Sequence, residues 1–213
     1  MSDEQTLLEW GVATRSLAGH AESGDQYLVK PFANGVLVAV VDGLGHGDRA
    51  AEVSKTAVNT IKGYAHEPVV SLMNRCHESL RGSRGAVLSL ASFSRKGTVT
   101  WLGVGNVDGM ILPAPGRHTK HKTLLLRGGV VGYRLPTLRD QVIKLTSGDI
   151  LIFITDGIRS GFVKNEVQDP LSKKKLDKTL PAQQLANAIL AEYGRETDDA
   201  MVLVARYTGP SSH

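Results

Sequence analysis

The sequence predicts an α+β fold in which antiparallel sheets are overlaid by helices, and three observations carry that reading. Strand-like segments come in a block, give way to a helical pair, resume as a second block, and close with one more helix and a last strand; this order is neither strict βαβ alternation nor all-β. The central strands read as near-continuous Val, Ile, Leu and Ala, the composition of strands buried on both faces. Two of them, Val36 to Val41 and Ile150 to Thr155, each run into Asp-Gly.

Strands are expected near 9–17, 25–31 and 35–42. The ordinary reading of Asp42-Gly43 is a two-residue hairpin turn. A hairpin needs a second strand at once, whereas this dipeptide leads into Leu44-Gly45-His46-Gly47-Asp48 and then a helical pattern near 48–65, with Ala50, Val53, Ala57, Ile61 and Tyr64 at 3,4,4,3 spacing. A second helix, near 68–81, is opened by Pro68 and carries Val69, Leu72, Met73, Cys76 and Leu80 on one face. Strands follow near 85–94, 97–104, 107–113, 119–126, 141–146 and 149–155. Asp156-Gly157 then runs into Ile158-Arg159-Ser160-Gly161, which has no strand alternation, so both Asp-Gly turns are read as ends of buried strands that present a side chain. The polar stretch from Lys164 to Thr179, with Lys173-Lys174-Lys175 and Pro170, is a solvated loop. A helix near 181–194 opens at Pro181, and a final strand near 200–207 is preceded by Asp198-Asp199.

A length of 213 residues suits a single domain over 1–213, with a frayed tail from about 208. A net charge of +4 and only 5% aromatic residues argue against a nucleic-acid surface. No apolar run approaches the roughly 18 to 20 residues that span a bilayer, and the polar start Met1-Ser2-Asp3-Glu4-Gln5 lacks the features of a secretory signal. With one cysteine there is no internal disulfide, in keeping with a cytoplasmic location, and Cys76 is expected as core filler.

Carboxylates at the ends of buried strands sit on the rim of a rigid core and repel one another. A hard divalent cation with oxygen ligands relieves that repulsion. A soft zinc site would want cysteines or several histidines.

Ser23-Gly24-Asp25, Asp42-Gly43-Leu44-Gly45-His46-Gly47, Gly103-Val104-Gly105-Asn106, Gly128-Gly129-Val130-Val131-Gly132, Thr155-Asp156-Gly157 and Thr197-Asp198-Asp199-Ala200 stand in an order that resembles the metal-dependent serine/threonine protein phosphatases of type 2C, the PPM family. Within it the chain looks most similar to the RsbX-type phosphatases of bacterial stressosomes. The resemblance implies a four-layer αββα sandwich and two Mn²⁺ or Mg²⁺ ions. It implies Asp42 as the carboxylate shared by both metals and central to catalysis, with the Gly43 carbonyl completing the second site. Asp156 and Asp198 would hold the first metal, and Asp25 would reach the second. His46 is the candidate general acid, because Leu44 stands where relatives often place a histidine. His20 occupies the place of a phosphate-gripping arginine and, with Asn106 and Gly129, is a candidate substrate contact. The neutral amide of Asn106, where relatives with a third metal carry an aspartate, argues against a strong third site. The loop Gly128 to Gly132 with Tyr133 and Arg134, and the basic segment Arg117 to Lys122, are candidate docking surfaces.

The expected function is dephosphorylation of phosphoserine or phosphothreonine on stressosome scaffold or regulator proteins of STAS type, as negative feedback on a general stress response, by a monomer with no nucleic-acid or membrane partner. The alternatives are a phosphatase of a soluble anti-anti-sigma factor or, from another class, a non-catalytic phosphoprotein- or nucleotide-binding module. Against the last, Gly43, Gly45 and Gly47 do not make G-x-G-x-x-G, and no Gly-Lys-Ser/Thr follows.

Overall fold

The computed structural model describes residues 7–19, 22–117, 120–159, 162 and 176–209. The first sheet is built from β1 (Leu8–Arg15), β6 (Asp108–Leu112), β7 (Lys122–Thr123), β9 (Ile150–Ile154) and β10 (Ala200–Tyr207), in the order β1-β10-β9-β6-β7. The second holds β2 (Asp25–Phe32), β3 (Gly35–Gly43), β4 (Ala86–Ser94), β5 (Thr98–Val104) and β8 (Gln141–Lys144), in the order β2-β3-β4-β5-β8. Every pairing is antiparallel.

Between the sheets lies a core of Val38, Val40, Phe93, Trp101, Phe153, Leu203 and their neighbours. Because β3 alternates its side chains across the pleat, Leu37, Ala39 and Val41 face the other way. There they meet helices α1 (Asp48–Gly63) and α2 (Val69–Ser79) through Ala57, Ile61, Leu72, Met73 and Cys76. Helix α3 (Ala182–Tyr193) covers the first sheet with Leu185, Ala186 and Ile189 against Ile152, Val202 and Val204. The result is the four-layer αββα sandwich. A strand buried on both faces needs apolar side chains at odd and even positions alike, which is why β3, β9 and β10 lack polar alternation.

The helices come very close to the sheets. A Cβ at Gly11 of β1 would stand 2.3 Å from the Gln183 Cα, so only glycine admits the first turn of α3 there. That turn is fixed by side chains from β1: the Glu9 carboxylate accepts from the Ala182 N–H at 2.7 Å, and the Gln183 amide exchanges hydrogen bonds with the Val12 backbone.

The strand expected near 119–126 shortens to Lys122–Thr123. It pairs along one edge only, with β6, and Lys122 and Thr123 are both exposed, so no packing extends it. Thr208, where the frayed tail was expected to begin, is bonded on both sides: its N–H donates to the Leu7 carbonyl at 3.1 Å, and its carbonyl accepts from Ser147; residues 210–213 lie outside the described residues. Most of the lysine-rich stretch before α3 lies outside the described residues.

Candidate metal centre

One end of the sandwich collects carboxylates from both sheets. Asp25 opens β2 and stands opposite Asp42 near the end of β3, as register partners in neighbouring strands. From the first sheet, Asp156 follows β9, and Asp198 and Asp199 precede β10. Asp25 and Asp199 are buried, Asp42 and Asp198 half-buried, and Asp156 exposed.

Like charges this near one another resist ionisation. Burial pushes the Asp42 carboxyl up to about 8, with the negative charges of Asp25, Asp156, Asp198 and Asp199 adding to it. Burial likewise raises Asp25, to about 7; Thr155 opposes the shift by donating its hydroxyl, while Asp199, Asp156 and Asp198 reinforce it. Asp156 is raised by burial and by Asp198, against the lowering effect of the Asn106 amide and Arg195. All five carboxylates therefore belong to one electrostatic unit.

Backbone geometry locks the unit in place. The Gly24 carbonyl accepts from both the Gly43 N–H and the buried Ser54 hydroxyl of α1, tying β2, β3 and the helix together. A Cβ on Gly43 would stand 2.2 Å from the Ala50 carbonyl oxygen, so glycine here lets α1 lie directly on the strand end. A Cβ on Gly157 would strike the Asp199 carbonyl oxygen at 1.9 Å, which presses Asp156-Gly157 against Asp198-Asp199. The second residue of each Asp-Gly pair is thus fixed by close packing and not by a hairpin turn.

Two residues act in ways the sequence did not foretell. Asp199 accepts the backbone N–H groups of Leu17 and Gly24, each at 2.7 Å, and so pins the chain leading into β2 to the start of β10. Thr155 donates its hydroxyl to Asp25 at 2.7 Å and accepts from the Met201 N–H at 2.9 Å, bridging the sheets at the centre of the cluster. Asp198-Asp199 and Thr155-Asp156 were visible as motifs; the division of labour inside each pair was not.

The other expected site residues fall as follows. The Asn106 amide donates to Asp156 at 2.9 Å, beside the cluster. His46 is exposed on the loop between β3 and α1. Gly129 is packed, since a Cβ would lie 2.8 Å from both the Arg134 carbonyl oxygen and the Pro136 ring, whereas Tyr133 nearby is 82% exposed. His20 lies outside the described residues. Of the basic segment, Arg117 is committed to an ion pair with Asp149 at 3.2 Å.

The donor chemistry fits a hard divalent cation. Asp25, Asp42, Asp156, Asp198 and the Gly43 carbonyl offer oxygen alone, and a cation would offset the desolvation and repulsion that raise Asp25, Asp42 and Asp156. Among the described residues no three acidic, histidine or cysteine side chains form a closed coordination shell. The single thiol is elsewhere: Cys76 is buried under α1, and burial pushes it up to about 12.

The family described as Stage II sporulation protein E (SpoIIE) matches residues 33–208. Phosphoserine phosphatase RsbX of Bacillus subtilis (strain 168) is 25% identical over 163 residues, covering 76% of this chain and 80% of that protein. A structure solved in work on the bacterial stressosome as a modular system adapted to control secondary messenger signalling superposes with a TM-score of 0.81 at 34% identity, over 93% of this chain and 99% of the other. RsbX in complex with magnesium superposes with a TM-score of 0.78 at 22% identity, over 93% of this chain and 94% of its own.

Proposed function

Because the chain belongs to the SpoIIE family of PP2C-type phosphatase domains, we propose that it is a phosphoserine/phosphothreonine protein phosphatase that depends on two Mn²⁺ or Mg²⁺ ions and acts on phosphorylated stressosome scaffold or regulator proteins. The observation that carries this reading is the cluster of Asp25, Asp42, Asp156, Asp198 and Asp199, in which burial first and the neighbouring negative charges second raise Asp42 to about 8. Asp199 is committed to the backbone of Leu17 and Gly24, while Asp25, Asp42, Asp156 and Asp198 gather negative charge that a bound cation would offset.

In this reading Asp42 would be shared between the two ions, the Gly43 carbonyl and Asp25 would serve one, and Asp156 and Asp198 would serve the other. When bound, the cations neutralise charge on the phosphoryl oxygens and acidify the attacking water, the two needs of phosphate monoester hydrolysis. The chain's own residues supply position. Thr155 holds the Asp25 carboxylate in one rotamer, Asn106 does the same for Asp156, and Asp199 keeps the Leu17 and Gly24 backbone in register with β10. In this reading His46, exposed on the loop after Asp42, would give a proton to the departing seryl or threonyl oxygen. One phosphatase domain comprises the chain.

The stressosome assignment is supported by likeness to RsbX and to the stressosome-related structure. The test is phosphate release from two purified phosphoproteins at equal concentration, a STAS-type stressosome scaffold and a soluble anti-anti-sigma factor, with and without chelator. Faster, chelator-sensitive release from the scaffold is expected. Preference for the anti-anti-sigma factor would move the enzyme to that branch, and release unaffected by exhaustive chelation would overturn the metal-dependent mechanism.

A further inference from the structure

We propose that Arg84 is the protein's own cation for the substrate phosphoryl group, an inference that rests on the phosphatase reading above and adds a specificity-determining residue to it. Arg84 stands just before β4, beside the glycine loop that leaves Asp42. The Gly85 carbonyl accepts from the Leu44 N–H at 3.1 Å, so the segment carrying Arg84 is joined to the start of that loop. Gly45 in the loop has φ of +100°, and a Cβ there would stand 2.8 Å from Arg84 Nη1 and 4.0 Å from Cζ. The positive φ calls for glycine at 45, and the guanidinium of Arg84 lies against it, three residues beyond Asp42.

Arg84 is exposed and, among the described residues, makes neither an ion pair nor a hydrogen bond. Arg75 pairs with Glu67, Arg81 with Glu78, Arg117 with Asp149 and Arg206 with Glu9, while Arg195 lowers Asp156. A guanidinium laid over a loop at the rim of a carboxylate cluster, yet bonded to none of it, has its fork of donors open to an incoming anion.

Charge counting shows why such a group is needed. The carboxylates of Asp25, Asp42, Asp156, Asp198 and Asp199 would together match or slightly exceed the charge of two divalent cations, so the loaded centre would carry no net positive charge. A phosphate monoester brings about −1.5 to −2 at neutral pH. Positive charge from the protein must meet it, and a planar fork that can hold two phosphoryl oxygens supplies both charge and orientation.

The test compares Arg84→Ala and Arg84→Lys with Arg95→Ala, which makes the same charge change in the turn at the opposite end of β4. Inorganic phosphate is titrated calorimetrically into each Mn²⁺-loaded protein, and kcat and KM are measured on p-nitrophenyl phosphate and on the phosphoprotein. Arg84→Ala should weaken phosphate binding and raise KM for both substrates at least tenfold, with a smaller change in kcat. Arg84→Lys should recover part of the loss, and Arg95→Ala should match the parent. Unchanged phosphate affinity in Arg84→Ala, or an equal loss in Arg95→Ala, would overturn the proposal. A parent that binds phosphate through Arg84 but turns over no phosphomonoester would instead overturn the phosphatase reading, so the two failures are distinct.

Discussion

The Thr155 hydroxyl donates to the Asp25 carboxylate across the space between the two sheets, at 2.7 Å. The same oxygen accepts from the Met201 N–H, so one side chain fixes a carboxylate of the second sheet to the backbone of the first. Thr155→Val keeps the shape and removes both bonds. It should cost about 1–3 kcal/mol of stability, since a buried acid and a buried N–H lose partners together. It should also weaken Mn²⁺ binding, because Asp25 loses the one hydrogen bond that favours its charged form. Thermal melting and Mn²⁺ titration check both; a variant indistinguishable from the parent in the two measurements would show the bridge to be idle.

Asp198 and Asp199 are adjacent in sequence and opposite in role. Asp199→Ala strips the acceptor from the Leu17 and Gly24 N–H groups and should destabilise the protein by about 2–3 kcal/mol, the loss of two charge-assisted bonds being partly offset by relief of repulsion. Asp198→Ala should leave the melting temperature near the parent's and abolish metal-dependent phosphate release. The reverse pattern would mean that the two have been assigned the wrong way round.

Asp42→Asn should reduce activity at least about a hundredfold, roughly 2.7 kcal/mol in barrier. In chelator at pH 8 the same change should raise the melting temperature, because it removes a half-buried charge that four other carboxylates oppose. Loss of activity together with gain of metal-free stability is the pattern expected of a ligand and not of a packing residue.

Folded-state carboxyls at about 7 for Asp25 and about 8 for Asp42, against the ordinary 3.8, set the pH dependence of the chelated protein. Between about pH 4 and 8 the folded state binds more protons than the unfolded chain, so stability falls as pH rises through that window. Melting in EDTA should therefore be highest near pH 4 to 5 and lowest at pH 8. Adding Mn²⁺ at pH 8 should restore both stability and activity, Mg²⁺ less so, and Ca²⁺ should not restore activity, since it takes larger and looser shells. A melting temperature in chelator that is flat or rises across this window would contradict the cluster's electrostatics.

Cys76 lies beneath α1, and burial raises its thiol to about 12. It should resist thiol-specific reagents in the native protein and react stoichiometrically in denaturant. Rapid labelling under native conditions would indicate that α1 and α2 open more readily than their shared core allows.

What could be read in the sequence was what repeats along the chain or recurs as a motif. The apolar runs of β3, β9 and β10 and the 3,4,4,3 spacing of α1 are local patterns that packing on both faces enforces, so their placement followed directly. Lys122–Thr123 was overextended because an edge strand is defined by its neighbour, and no periodicity in 119–126 records that neighbour's length. Asp25, Asp42, Asp156 and Asp198 stood out in the sequence as candidate ligands, and the structure gathers them at one end of the sandwich. Thr155 as the bridge and Asp199 as the clamp did not stand out, because each role exists only once residues 130 and 175 positions apart are side by side. Arg84 escaped for the same reason: nothing in its own surroundings in sequence points to Gly45.

The bonds from Thr155 to Asp25 and from Asp199 to Gly24 have a kinetic consequence. The complete acidic cluster needs both sheets, since Asp25 and Asp42 belong to one and Asp156, Asp198 and Asp199 to the other, so a chain whose sheets have not yet docked offers a cation only part of the site. A ligand that recognises only the finished arrangement leaves the folding rate alone and slows escape from it. Mn²⁺ should lengthen the lifetime of the native protein in denaturant, and leave the refolding limb of the chevron where it was.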